Sequence, residues 1–286
     1  MKVEGEISPL FGFSRETLDQ VIDESIIKLT EWLKTGLIND SCFPSVAFGC
    51  SCALAELNGE LPKQTNYSKA LLYTFDDLKK LILNVNKIKN KKIVKIKINN
   101  NKILKTSNLI NLLFETIPKL NLRIDANRSL TFNEANTFIN NINVQYRGYI
   151  DFIEEPCKTY EESIQFAKNT GINIALDESI REVNFKLKSD FGVTTIIIKP
   201  TLIGSLSYCR DLIKKIHLLG LNAVISSSFE SSFGLTQLSR IAYWLTPNTI
   251  PGLDTIMYND SQLIRVWPGC FLPVKQLNDL KIIWKS

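Results

Sequence analysis

The chain has 286 residues, of which 44% are hydrophobic, and a formal net charge of +5. That supports one core of enzyme size, and no apolar run reaches the ~18 residues that a membrane span needs. His217 is the one histidine, which excludes a Ser-His-Asp hydrolase and a zinc hydrolase built on several histidines; any base is therefore a lysine or a carboxylate.

The start, MKVEGEISPL, carries acids early and lacks the apolar stretch of a signal peptide. The six cysteines have no framework or C-x-x-C spacing, so reduced thiols in a cytoplasmic protein are expected. Ser14 reads as the cap of a first helix, with Leu18, Val21, Ile22, Ile26, Leu29 and Leu33 on one face and Gly36 past its end. A second helix is predicted over 44–57, where small residues allow close packing.

From about Tyr67 a strand–helix repeat takes over. Strand-like runs fall at 94–98, 122–127, 149–156, 172–179, 194–200 and 222–228, with helices at 131–142, 161–171, 205–220 and 232–245. His217 falls on the surface of the third of these helices. The tail from 262 to 286 breaks the repeat and is expected to return to the N-terminal module. The pattern predicts an α/β fold, a TIM-type (β/α)7β barrel over 66–262. Beside it, residues 1–65 with 263–286 form an α+β capping domain.

The basic charge comes from 86–105, a run with eight lysines and no aromatic residue. A single-strand nucleic-acid binder would interleave aromatics with its lysines, so no nucleic-acid partner is expected. Each strand-like run stays apolar until its C-terminal end, where a Lys, Asp, Glu or Ser appears. In a barrel such ends converge on one site.

Asp125, Glu154 and Asp177 end three consecutive runs. Three hard oxygen donors with open positions left over suit Mg²⁺; the competing reading is that these acids cap the helices that follow. Lys95 and Lys97 stand two apart and so share a strand face. Their closeness is expected to depress a pKa and make a base, unless both simply belong to the lysine-rich surface run. Lys199, before Pro200, also ends a strand. A cation flanked by two lysines suits removal of a proton next to a carboxylate, which produces an enediolate.

These residues carry a resemblance to the o-succinylbenzoate synthases of the enolase superfamily, in their short enterobacterial form. It runs from GEISPLFGFS (5–14) through PSVAFGCSCALAEL, IDANR, FIEEPCKT, ALDES, IIIKPTLIGSL and AVISSSFESSFGLTQLSRIAYWLTP to PGLDT. The resemblance implies a Mg²⁺-dependent syn-dehydration in menaquinone biosynthesis, with Mn²⁺ as a substitute cation. The small-molecule carboxylate substrate would be 2-succinyl-6-hydroxy-2,4-cyclohexadiene-1-carboxylate. It implies Asp125, Glu154 and Asp177 as metal ligands, Lys97 as the base that later returns its proton to the leaving hydroxyl, and Lys199 as a stabilising cation. Lys95, Arg123, Asn127, Ser226, Ser227 and Gly252 would lie around the substrate. A monomer or weak homo-oligomer is expected, with no membrane partner. Members of the family begin with further β-strands and a mobile loop, so the capping domain is expected to be incomplete at its N-terminus and turnover correspondingly poor. An N-succinylamino acid racemase, a dipeptide epimerase and a metal-binding pseudoenzyme are the alternatives.

Overall fold

A computed structural model describes residues 3–75, 77–98 and 100–285. The first two residues of the N-terminal start, and Asn99 in the lysine-rich run, lie outside them. In chain order the helices and strands are α1 (Leu18–Thr35), α2 (Pro44–Leu57), β1 (Leu71–Tyr73), α3 (Leu78–Asn86), β2 (Lys92–Lys97), α4 (Ile103–Thr116), β3 (Leu120–Asp125), α5 (Phe132–Asn140), β4 (Ile150–Glu154), α6 (Tyr160–Thr170), β5 (Ile174–Leu176), β6 (Val193–Ile198), α7 (Pro200–Ile203), α8 (Leu206–Leu218), β7 (Asn222–Ile225), α9 (Ser232–Leu245), β8 (Gln262–Leu263) and β9 (Val274–Lys275). They divide into two compact units. One comprises Lys69–Ile197 and Ile216–Ala223; the other comprises Met1–Ser68, Ile198–Lys215 and Val224–Ser286.

The first unit holds most of a sheet whose strands run in sequence order from β1 to β7. From β1 to β6 every neighbouring pair is parallel. Parallel strands need a crossover to return the chain, and between β1 and β5 helices α3 to α6 supply it. This is the α/β arrangement of a TIM-type barrel. Both faces of such strands are covered, which is why Leu120, Leu122 and Ile124 of β3 and all of β5 are buried. Three of these helices start at capping side chains, Asp77 before α3 among them. Thr131 and Glu134 form a capping box before α5, and Thr159 caps α6, which ends on the left-handed Gly171 (φ 69°).

The run at 172–179 contributes a strand of only three residues. Its pairing stops at Leu176, opposite Ile196, and the next backbone N–H, that of Asp177, donates to a side chain, Glu155 Oε1.

In the second unit α1 begins one turn later than Ser14. Thr17 is its cap, in a box with Gln20, while Ser14 Oγ accepts from the N–H of Leu10. Gly36 ends the helix in the left-handed conformation as expected (φ 72°). The small residues of α2 allow a close approach: a β-carbon on Gly49 would stand 2.6 Å from the carbonyl oxygen of Glu6. The tail is tied into this unit through Arg265, which pairs with Glu56 at 3.1 Å, and Trp267, buried edge-on against Tyr67. Among the described residues no helix is long and apolar enough to cross a membrane.

Candidate active site

Register brings three of the sequence-selected strand ends side by side. Lys97 of β2 is paired with Asp125 of β3, and Asp125 with Glu154 of β4. Glu154 is paired with Ala175, so Asp177 lies two residues further on, just beyond β5. Each of the three carboxylates is 1% exposed. Lys95, one pleat back from Lys97, places its Nζ 2.8 Å from Asp125 Oδ2 and 2.7 Å from Glu154 Oε2. Asp177 Oδ1 is 3.9 Å from Arg181 Nε. Among the described residues, no three metal-binding side chains are gathered around one point. The point on which the oxygens of Asp125 and Glu154 converge holds the Lys95 ammonium.

That ammonium is not the depressed lysine of the pair. Burial opposes its charge, but the attraction of Asp125 and Glu154 and its hydrogen bonds to both raise its pKa above that of an ordinary lysine. The two adjacent carboxylates outweigh the cost of burial, so Lys95 is held as a cation and Lys97 is left as the candidate base.

Lys97 is exposed and lines a cleft of about 400 Å³ with Phe75, Ile98, Lys102, Ala126 and Asn127. Asn127 takes up a left-handed turn (φ 43°) directly after Ala126, and its Nδ2 donates to Glu178 Oε1 at 3.0 Å. Arg123 shares the β3 face of Asp125. It is buried, with Nε 3.4 Å from Asp151 Oδ2 and its guanidinium over the ring of Phe152. Burial lowers its pKa against the pull of Asp151.

Lys199, Ser226, Ser227 and Gly252 belong to the other unit. Lys199 follows β6 directly and stands at the start of α7. Ser226 and Ser227 are buried just after β7, and both hydroxyls donate to the carbonyl of Gly252 at 3.2 Å. A parallel bridge joins Ser226 to Gly252, whose N–H donates to Ile225 O. Ser227 Oγ is also 2.8 Å from Thr255 Oγ1. Sequence reasoning missed Glu230. Its carboxylate, 1% exposed, accepts from Thr201 Oγ1 and from the N–H of Ser228, both at 2.6 Å, and so ties the Lys199 turn to the serine turn. Burial pushes its pKa up to about 7, and Glu6 adds to the rise. It also missed Glu155 and Arg128, although an acid following Glu154 in IEEP and a basic residue ending DANR were visible.

Residues 1–57 match the family profile described as MenC, N-terminal domain, and residues 84–255 match Enolase C-terminal domain-like. The chain is 50% identical over 282 residues to the o-succinylbenzoate synthase of Proteus mirabilis (strain HI4320), which spans 99% of this chain and 87% of that protein. The chain belongs to the o-succinylbenzoate synthase family. The enzyme of that name from Photorhabdus laumondii is 49% identical over the same shares of the two chains. A solved o-succinylbenzoate synthase from Thermosynechococcus elongatus BP-1, with magnesium in its active site, shares the fold. Its TM-score is 0.65 at 22% identity, over 87% of this chain and 79% of that one. Membership of this family makes the protein an enzyme of the enolase superfamily, with the lyase activity that the family name denotes.

Proposed function

We propose that this chain is an o-succinylbenzoate synthase that uses Mg²⁺ (or Mn²⁺) to dehydrate 2-succinyl-6-hydroxy-2,4-cyclohexadiene-1-carboxylate in menaquinone biosynthesis. The observation that carries the reading is the line of register partners Lys97, Asp125 and Glu154, with Lys97 opening on a cleft. The donor set fits a hard divalent cation. Asp125 and Glu154 already turn oxygens toward a single cationic centre at 2.7–2.8 Å, and Asp177 adds a third buried carboxylate at the next strand end. These three would hold the metal, which when bound supplies positive charge to a carboxylate that becomes an enediolate.

In this reading Lys97 takes the α-proton of the substrate onto Nζ. The same ammonium then gives that proton to the departing hydroxyl on the same face. The C–O bond breaks, water leaves and the ring becomes aromatic. Lys95 remains a cation and offsets part of the carboxylate charge. Lys199 acts as a cation that stabilises the enediolate. Arg123, Asn127, Ser226, Ser227 and Gly252 bind substrate, Gly252 presenting its backbone. Residues 1–65 with 263–286 make up the capping domain, and 66–262 the barrel domain.

The direct test is incubation of the purified protein with Mg²⁺ and the cyclohexadiene carboxylate, following formation of the aromatic product by absorbance. Mg²⁺-dependent appearance of o-succinylbenzoate supports the reading. Racemisation of an N-succinylamino acid without dehydration would replace it with that of a racemase.

A further inference from the structure

We infer that Glu155, braced by Arg128, is a positioning residue that fixes Asp177 at the end of β5. Glu155 follows Glu154 directly but turns away from it through a left-handed backbone (φ 43°), a conformation uncommon outside glycine and one that marks a residue held by its surroundings. Its side chain is 1% exposed, and both oxygens are engaged. Oε1 accepts from the backbone N–H of Asp177 at 3.0 Å and of Ser179 at 2.7 Å. Oε2 accepts from Ser179 Oγ at 2.9 Å and from Arg128 Nε at 3.2 Å. Arg128, also left-handed (φ 58°), donates its N–H to the carbonyl of Glu155 at 2.9 Å and NH2 to Ser179 Oγ at 2.6 Å.

Pairing of β5 in the sheet ends at Leu176, one residue before Asp177. The carboxylate of Glu155 holds the backbone there from the neighbouring strand end. Its chemistry explains why an acid stands here. Four donors point at it from two sides, and a carboxylate is acceptor-only. A glutamine would satisfy one pair and set its own NH₂ against the other. Placing a further carboxylate beside Glu154 and Asp177 is otherwise unfavourable, and Arg128 supplies the compensating charge.

The inference rests on the proposed role of Asp177 as a metal ligand, and two measurements keep the claims apart. The first is calorimetric titration of Mg²⁺ into the wild type, Glu155→Gln and Ser179→Ala. Glu155→Gln is expected to bind about 10- to 100-fold more weakly, the range for loss of a residue that orients a ligand, and its kcat is expected to recover as Mg²⁺ is raised. Ser179→Ala, which deletes one donor to Glu155, is expected to fold normally and show a smaller loss in the same direction. The second is amide hydrogen exchange without metal. The N–H groups of Asp177 and Ser179 are expected to exchange about tenfold faster in Glu155→Ala, which removes both acceptor oxygens, than in the wild type. A wild type that binds no Mg²⁺ would overturn the metal reading, and exchange alone would then decide the clamp. Unchanged exchange at both amides, or Mg²⁺ affinity equal to wild type in both folded variants, overturns the role of Glu155.

Discussion

Lys95 and Glu154, on strands two apart in the sheet, form an ion pair at 2.7 Å, and the same ammonium reaches Asp125 at 2.8 Å. Without that ammonium two carboxylates that are 1% exposed would face each other at adjacent strand ends. The lysine is therefore as much a part of the fold's electrostatic balance as of any chemistry at the site.

Removing it should expose the repulsion. Lys95→Met is expected to destabilise the metal-free protein by about 3 kcal/mol, the scale for deleting one partner of a buried ion pair. Millimolar Mg²⁺ should recover a good part of that loss, because a cation bound only to the folded state stabilises it. Urea denaturation with and without Mg²⁺ measures both effects. A variant that responds to Mg²⁺ no more than Asp177→Ala would show that the carboxylates do not form one cation site.

Lys97 carries the proton in both halves of the proposed reaction. Lys97→Ala should lower kcat by at least about 10³-fold, within the range ascribed to general acid–base groups acting together with orientation. The substrate's α-proton should also stop exchanging with solvent, which NMR in D₂O reports directly. Dehydration is the compound event and exchange the simpler one. Exchange at the wild-type rate in the variant would assign the base elsewhere.

The strand ends were legible because charge at the end of an apolar run has few structural uses, and register then carried Lys97, Asp125 and Glu154 into line. Glu155 was not legible. Period-two reasoning puts it on the opposite face from Glu154, and only the left-handed turn at 43° lets it reach the Asp177 amide. Which lysine of the pair stays a cation was not legible, because spacing along one strand shows Lys97 but not the carboxylates across the ladder. Thr17 could have been preferred to Ser14 from sequence, since Gln20 completes a T-x-x-Q capping box. Glu230 had no signal of its own: its partners, Thr201 and Ser228, come from two different turns.

Gly252 is required by proximity. A β-carbon there would lie 2.8 Å from Ser226 Oγ and 3.4 Å from Ser226 Cβ. Gly252→Ala should displace Ser226, costing about 1–3 kcal/mol of stability as an overpacked site. KM should rise more than kcat falls if the pair binds substrate. Gly252→Ala with Ser226→Gly, which removes the obstructing side chain, should recover stability but not KM. Steady-state kinetics and thermal melts of the two variants separate packing from binding.

Glu230 gives the fold a pH dependence with a definite sign. Its folded pKa is raised from 4.5 to about 7, so between those values the folded state holds a proton that the unfolded chain has released. Stability therefore falls as pH rises through this window and is level above it. The loss reaches at most about 3.5 kcal/mol, because each tenfold difference in proton affinity between the two states is worth about 1.4 kcal/mol. Glu230→Gln cannot ionise and should remove this fall, while its carbonyl still accepts from the N–H of Ser228 and its amide can donate to Thr201 Oγ1. The variant should match the wild type near pH 4.5 and melt higher at pH 8, with the gap opening between the two. A melting difference that stays constant across that range would show that Glu230 is ionised in the folded protein throughout.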